Sequence, residues 1–499
     1  MNARAIIAAL ALPLGTVATP PTARHQLVLT HATVVDVRAG RLLPDRTIVI
    51  DGGRISAIVS ASDGAPPGEQ SVDLKGAFVT PGFSDMHVHV QETANPPATL
   101  QLMLASGITS YRLMSGSPDL LDQRRRGVLF PWPDKPDLLA MPGAILMPPN
   151  AGTPAKAVAE VDKQAAEGAD FIKVIQTPPD SFFAGLAEAK AHRLTYIGHL
   201  PALVDVWKAS NEGMREIEHV GPNAELVAGC SPRAAALTRE RIEVRAQEAK
   251  APAPKPDPSL RAMPGNPVLL SERSDLAFMR GVVDSFDDAQ CRKLAATFVR
   301  NQTWQTPTLI RLYTMEFGTD PELAADPNLV NITAADRAHW NALTEAYRSK
   351  FSAADQETLH RLYAVQLRTV KIFDEEGVPM LTGSDMGGAG WVVPGLALRK
   401  EFARLAEAGL SPATILRMTT LNPARLLGRE TEFGAVEPGR VANLVVLNAD
   451  PLQSAANLSA VEDVILHGRL YGAVDLERLK TQSTVEIQSS PPHAPPAGE

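Results

Sequence analysis

Cysteine is nearly absent: the 499 residues contain two, Cys230 and Cys291. Two cysteines exclude a disulfide-framework fold and a cysteine-rich zinc site. They leave room for one disulfide or for two buried thiols. Basic runs are also missing, and the net charge of −8 is spread along the chain, so nucleic-acid binding has little support. Downstream of Ala18 no stretch approaches 18 consecutive apolar residues, so no membrane-spanning helix is expected. Sequence repeats are lacking beyond an alternation of short strands and helices. Proline, in contrast, is plentiful at 41 residues, which predicts many turns and long connections. With 44% hydrophobic and 21% charged residues, the composition is that of a globular protein and excludes wholesale disorder. At ~150 residues per domain the length predicts two or three domains.

Residues 1–18 read as a secretory signal peptide. Arg4 supplies the positive end, residues 5–18 are apolar with breaks at Pro13 and Gly15, and Thr16-Val17-Ala18 offers small residues for cleavage. The stretch falls short of the ~20 residues a spanning helix needs. No cysteine follows for a lipid anchor. The expectation is an exported protein, periplasmic or extracellular, with no stable membrane insertion once the signal is removed.

Strand-like runs follow. Leu27-Val28-Leu29, Thr33-Val34-Val35 and Thr47-Ile48-Val49-Ile50 are rich in β-branched residues, and Asp51-Gly52-Gly53 is a turn signal. A similar pattern returns at 443–447 and 464–466. Segments 26–80 and 430–477 are therefore expected to build one small β-sandwich domain from both chain ends. Residues 480–499, rich in Ser and Pro, are expected to be disordered.

Between them, over 81–429, short apolar strands alternate with helical stretches, the pattern of βα units on a parallel sheet. Strands are predicted at 83–89, 110–114, 144–147, 171–175, 194–200, 215–220, 303–309 and 379–385. Eight such units predict an α/β fold of the TIM-type (β/α)8 barrel class. The span exceeds the ~250 residues of a typical barrel. The surplus falls into insertions at 221–300 and 310–378.

In such a barrel the chemistry sits at the C-terminal strand ends. His87-Val88-His89 places two imidazoles two residues apart, on one strand face, where both can reach one metal ion. Asp85 shares that face. The same pattern also arises from polar residues on an exposed strand, a reading that the apolar Phe83 and the preceding Pro81-Gly82 disfavour. Lys173 lies within Phe171-Ile172-Lys173-Val174-Ile175. A lysine in an apolar strand must be paired or lose its charge, and a neutral amine is a nucleophile able to take up CO2 as a carbamate. A buried carboxylate partner is the plainer alternative. His199 and His219 each end a short apolar run. Taken singly, each is more often a hydrogen-bonded structural histidine than a metal ligand, although neutral imidazole is a common ligand for metals such as zinc. Asp385 ends Thr382-Gly383-Ser384-Asp385; its carboxylate suits a metal ligand and proton acceptor, or a turn residue. Arg112, at the second strand end, is a candidate partner for a substrate carboxylate, or half of a structural ion pair.

The order of these elements carries more than any one of them. Pro81-Gly82-Phe83-Ser84-Asp85-Met86-His87-Val88-His89, Gly168-Ala169-Asp170-Phe171-Ile172-Lys173-Val174, Gly198-His199-Leu200-Pro201, Ile217-Glu218-His219 and Thr382-Gly383-Ser384-Asp385 together resemble the amidohydrolase superfamily of metal-dependent hydrolases. The likeness is to its exported imidazolonepropionase-like and prolidase-like branch, and it extends through Thr420-Leu421-Asn422-Pro423-Ala424 to the second β region. Three departures stand out: Ala442-Asn443-Leu444 replaces the usual Ala-Asp-Leu, Val174-Ile175 stands where many relatives carry a Tyr, and the insertion after His219 has no family pattern.

The resemblance implies two divalent cations, zinc foremost. His87, His89 and Asp385 would hold one and His199 and His219 the other. A CO2-derived carbamate on Lys173 and a hydroxide would bridge them, with Asp385 as proton shuttle. It implies hydrolysis of an amide bond in a small-molecule substrate: a dipeptide, an N-acyl amino acid or a cyclic amide. The same centre would serve a lactone or phosphotriester hydrolase, and the same fold could carry a non-catalytic binding protein. Self-association into a homo-oligomer is left open by the sequence.

Overall fold

The computed structural model of the chain describes residues 27–64, 68–250 and 265–491. The expected signal peptide lies outside the described residues.

Strands β1 (Leu27–Asp36), β2 (Arg41–Asp51), β3 (Arg54–Ser60), β4 (Gln70–Asp73) and β5 (Phe78–Pro81) open the fold. Next come β6 (Phe83–Val88), β7 (Ile108–Leu113), β8 (Asp137–Ala140), β9 (Phe171–Val174), β10 (Thr195–Gly198), β11 (Glu216–Glu218) and β12 (Trp304–Thr306). The last are β13 (Leu444–Leu447), β14 (Val461–Leu466) and β15 (Arg469–Tyr471).

Both chain ends meet in one sheet, ordered β15-β14-β13-β5-β1-β2-β3 with β4 on β1. Two separate layers were expected from the sequence. The ladder instead runs as one continuous sheet, because β1 changes partner along its length. Its first half pairs with β4, its second with β5, and register shifts against β2 fall between Leu29 and Val34. Such shifts bend and twist a strand. Leu27, Leu29, Ile48, Ile50, Val79, Leu444, Val446 and Ile465 form its core. Asn443 spans from this sheet to β8: its amide donates to Asp137 Oδ2 at 3.0 Å and its Oδ1 accepts from the His467 N–H at 2.8 Å.

The middle of the chain folds as parallel β-sheet with helices between the strands. One sheet is β6-β7-β8 and the other β9-β10-β11-β12. Isolated parallel bridges join their edges: Leu146 to Val174, Gln305 to Met380, and Val88 to Met386. Two of the predicted strands are accordingly reduced. The third regular strand lies at Asp137–Ala140, earlier than predicted, and only Leu146 of the expected segment pairs, since Pro142 and Gly143 break the run. The eighth, around 379–386, is held by single bridges. The strands themselves are buried on both faces; Ile172 and Val174 are fully buried, each contributing about 1.5–3 kcal/mol.

The helices follow local signals. Pro154–Glu167 starts at Thr153, whose hydroxyl accepts from the Lys156 N–H at 3.3 Å, carries proline in its first turn and ends at Gly168. The described residues of the 221–300 insertion include the helices Ala234–Glu248, Arg273–Asp284 and Asp288–Asn301. Cys230 and Cys291 are joined as a disulfide that ties this insertion together. The 310–378 insertion contributes Leu309–Glu316, Ala334–Lys350 and Ala353–Glu376. The expected disordered tail is partly corrected: the helix Ala473–Gln488 runs through residue 480, burying Leu476 and Leu479 against Val464, Leu466 and Leu104. Among the described residues, no helix is long and apolar enough to cross a membrane.

Candidate metal centre

Five strand ends deliver their polar side chains to one cavity of about 270 Å³. His87 ends the inward face of β6, and His89 follows it. Lys173 lies on β9, His199 follows β10, and His219 follows β11. Asp385 comes from the segment bridged to β6, where its N–H donates to the His87 carbonyl at 2.8 Å. All six line this cavity.

The imidazole nitrogens converge. His87 Nε2 and His89 Nε2 are 3.3 Å apart, and each lies 3.2–3.3 Å from Asp385 Oδ1. His199 Nε2 and His219 Nε2 are 3.1 Å apart, with Asp385 Oδ2 3.8 Å from the latter. Lys173 Nζ touches Glu218 Oε2, and that oxygen is 3.8 Å from His87 Nδ1.

Backbone strain shapes this arrangement. His219, Thr308 and Asp385 adopt φ of 53°, 46° and 56°. Left-handed backbone at a non-glycine residue costs of order 1–3 kcal/mol and clusters where function requires it. At His219 it breaks strand alternation and turns Glu218 and His219 toward the same cavity. Gly198 meets a different demand: a Cβ there would sit 2.1 Å from the Val174 carbonyl oxygen. Its absence lets the His199 N–H donate to that carbonyl at 2.8 Å.

Outer hydrogen bonds fix which nitrogen of His89 and of His219 faces inward. His89 Nδ1 lies 2.9 Å from Ser115 Oγ and 3.2 Å from the Glu92 carboxylate. Thr308 Oγ1 donates to the Pro307 carbonyl at 2.8 Å and so accepts from His219 Nδ1. With the proton held on Nδ1, His89 and His219 each turn a lone pair of Nε2 into the centre. Lone pairs at 3.1–3.3 Å repel unless a cation or proton lies between them. Burial holds His87, His199 and His219 well below the usual histidine range, so these rings are neutral and each keeps one nitrogen lone pair for a metal. Burial also opposes charge on His89, but Glu92 and Asp385 outweigh it and raise that pKa to about 9. His87 Nδ1 and Glu218 Oε1 are buried without a hydrogen-bond partner. In this cavity two three-residue groups have metal-binding spacing, His87–His89–Asp385 and His87–Glu218–His219. The donor set thus fits divalent cations.

The carboxylates differ by environment. Burial works to raise Asp385, but Arg311 and His87 outweigh it and hold the group well below the ordinary range. Arg311 Nη1 lies 2.6 Å from Asp385 Oδ2. Asp85 does not reach the centre. It accepts from the Ser384 hydroxyl at 2.6 Å, the Ser384 N–H at 3.0 Å and the His87 N–H at 3.2 Å. It braces β6 against the segment bearing Asp385, and burial pushes its pKa up to about 7. Lys173 is fully buried, and that burial lowers its pKa to about 7.

Arg112 is placed elsewhere. It is 2% exposed inside the sheet, with Nη1 and Nη2 on the two oxygens of Glu216 at 2.6 and 2.5 Å. Its Nε donates to the Met86 carbonyl at 2.9 Å. Every nitrogen has a partner, so the expectation of a substrate carboxylate there gives way to a buried ion pair. Glu218 and Arg311 were missed in the sequence. Glu218 precedes a recognised histidine but belonged, by alternation, to the opposite face. Arg311 sits in a helix with no spacing signal.

The amidohydrolase family model matches residues 330–471, a span that includes Asp385. An adenine deaminase of Listeria monocytogenes serovar 1/2a is 35% identical over 89 residues, covering 18% of this chain and 14% of that protein. An adenine deaminase of Desulfatibacillum aliphaticivorans is 26% identical over 204 residues, covering 36% of this chain and 32% of that protein. The matched segments thus span a third or less of these curated relatives. Among solved structures, a bottromycin amidohydrolase aligns with a TM-score of 0.66 at 21% identity, covering 93% of this chain and 91% of that one. A Xaa-Pro dipeptidase with bound methionine aligns at 0.58 and 18% identity, covering 90% and 100%. Residues 330–471 thus match the amidohydrolase family, and the fold over about nine-tenths of the chain is shared with solved amidohydrolases.

Proposed function

We propose that the chain is a metal-dependent hydrolase that cleaves an amide C–N bond in a small-molecule substrate. The observation that carries this reading is the convergence of four histidine Nε2 atoms and the Asp385 carboxylate in one buried cavity, a donor set that suits divalent cations. In the same reading the two parallel sheets and the bridging segments are one eight-unit barrel, with the centre at its C-terminal mouth. The family match over residues 330–471 and the solved amidohydrolase folds support it.

His87, His89 and Asp385 would hold one divalent cation, and His199 and His219 a second, with zinc favoured by the nitrogen and carboxylate donors. Bound there, such cations lower the pKa of a water and polarise a carbonyl. Asp385 accepts the proton of the attacking water and delivers it to the leaving nitrogen. The C–N bond breaks, giving a carboxylic acid and an amine. Arg311 keeps Asp385 ionised in the resting site. Ser115, Glu92 and Thr308 hold the rings in the tautomer that faces inward.

Lys173, buried and with its amine near neutral, is read as the carboxylated bridge. A second bridge is supported by the grouping of Glu218 with His87 and His219. Mass measurement of the intact protein under native conditions separates them, since a carbamate adds the mass of CO2. We further propose export to an oxidising compartment, which the Cys230–Cys291 disulfide favours.

Metal analysis of the purified chain tests the centre. About two divalent cations per chain are expected, with hydrolysis abolished by chelation and restored by zinc. A folded, metal-free chain that binds none on addition would overturn the reading.

A further inference from the structure

The helical insertion between β11 and β12 brings an arginine to the cavity that no motif marks. Arg241, on the helix Ala234–Glu248, is 4% exposed and lines the same cavity as the histidines. Its guanidinium is held from two sides. Nε and Nη2 lie 2.8 and 2.7 Å from Asp275 Oδ1, and the Phe278 ring packs under it with Cζ 4.7 Å from the ring centre. Asp275 is itself fixed, its Oδ2 accepting from the Glu272 N–H at 2.9 Å. The third nitrogen, Nη1, is buried and has no hydrogen-bond partner.

A buried donor left unmade costs about 1–3 kcal/mol, more for a charged group. A structure that stacks and clamps a guanidinium yet leaves one N–H₂ free has the form of a prepared anion site. One turn further along, Arg245 also lines the cavity; it is half exposed, with Nη1 3.7 Å from Asp275 Oδ1. The acids facing this pair are Asp275, already engaged, and Glu225. Glu225 Oε1 stands 3.9 Å from Arg241 Nη2, and its burial pushes its pKa up, which weakens its claim on the arginine.

We propose that Arg241 is the specificity-determining residue of this site. Its free Nη1, with Arg245 at the rim, receives a carboxylate of the substrate and selects amides that carry one, such as N-acyl amino acids, over neutral amides. The inference rests on the hydrolase reading and assigns to the unpatterned insertion the role first sought at Arg112.

The test compares N-acetyl-L-leucine with its carboxamide on the zinc-loaded enzyme. The wild type should cleave the acid with a kcat/KM about tenfold to a hundredfold higher, the worth of a charge-assisted hydrogen bond. Arg241→Gln with Asp275→Asn removes both charges together, so that neither is stranded, and circular dichroism checks the fold. This double variant should lose that preference through KM, with turnover of the carboxamide little changed. Equal cleavage of acid and carboxamide by the wild type, or an equal loss for both in the variant, overturns the carboxylate site and leaves the hydrolase reading standing. If neither compound is cleaved, calorimetric binding of N-acetyl-L-leucine decides: a tenfold or greater weakening in the variant supports the site, and unchanged affinity or no binding to the wild type overturns it. The same titration on Arg245→Gln should show a smaller loss, since that side chain is already solvated.

Discussion

Replacing Arg112 by methionine removes the cation that pairs directly with Glu216 inside the sheet. Both side chains are buried, at 2% and 0% exposure. The pair is bidentate, at 2.6 and 2.5 Å, and Thr306 adds a third hydrogen bond to Glu216 at 2.5 Å. Breaking one side of a buried pair costs about 3–5 kcal/mol, because the remaining charge cannot be solvated. Replacing both partners by apolar groups of similar volume is often neutral or stabilising. Arg112→Met should therefore lower the urea midpoint and melting temperature substantially, and Arg112→Met with Glu216→Leu should recover most of the loss. The assay is urea unfolding followed by far-ultraviolet circular dichroism for the three proteins, with KM measured on whatever remains folded. The coupling between the two sites, not either single value, is the informative quantity. A stable Arg112→Met protein with a raised KM would refute the reasoning and return Arg112 to the substrate.

Three further outcomes follow from the site. Lys173→Ala should reduce bound metal below two per chain and lower turnover, with partial recovery by short carboxylic acids; unchanged stoichiometry by elemental analysis would remove Lys173 from the bridge. Glu401 is fully buried, its Oε2 accepting from the Ile310 N–H at 2.8 Å, and burial raises its pKa from 4.5 to about 8. The stability of its protonated form is complete below pH 4.5 and is lost as pH rises toward 8, so Glu401→Gln should flatten the stability profile across that window by a few kcal/mol in equilibrium unfolding; parallel profiles would contradict it. Asp385→Asn should keep its fold and lose about 10²–10⁴ in kcat, the usual share of general acid–base catalysis; a near-normal rate would take Asp385 out of proton transfer.

The residues that were legible in the sequence obey local rules. His87 and His89 follow a period of two, and β6 keeps it. The β-branched runs at both chain ends needed no long-range information to be read as strands, and they pair in one sheet. What escaped depends on contacts across the fold. Arg112 looks like a strand-end arginine until Glu216, 104 residues away, is seen beside it. Glu218 reaches the cavity because His219 leaves the strand in a left-handed conformation, which alternation cannot foresee. Arg241 and Arg311 come from insertion helices, where burial of a charged residue leaves no periodic trace. The predicted third strand was drawn to the apolar Ile145-Leu146-Met147, but the regular pairing stops at Ala140, before Pro142. The helix through residue 480 was hidden by the Ser- and Pro-rich composition that follows it.

The central claim is that Asp385 and the converging histidines hydrolyse a C–N bond. Its most direct test is product formation, followed by mass spectrometry, from a panel of dipeptides including X-Pro, N-acyl amino acids, cyclic imides, lactones and a phosphotriester, with zinc-loaded wild type against Asp385→Asn. The account predicts Asp385-dependent cleavage of at least one amide, with carboxylate-bearing amides foremost. Cleavage confined to lactones or phosphotriesters, or amide cleavage that survives Asp385→Asn, would contradict it.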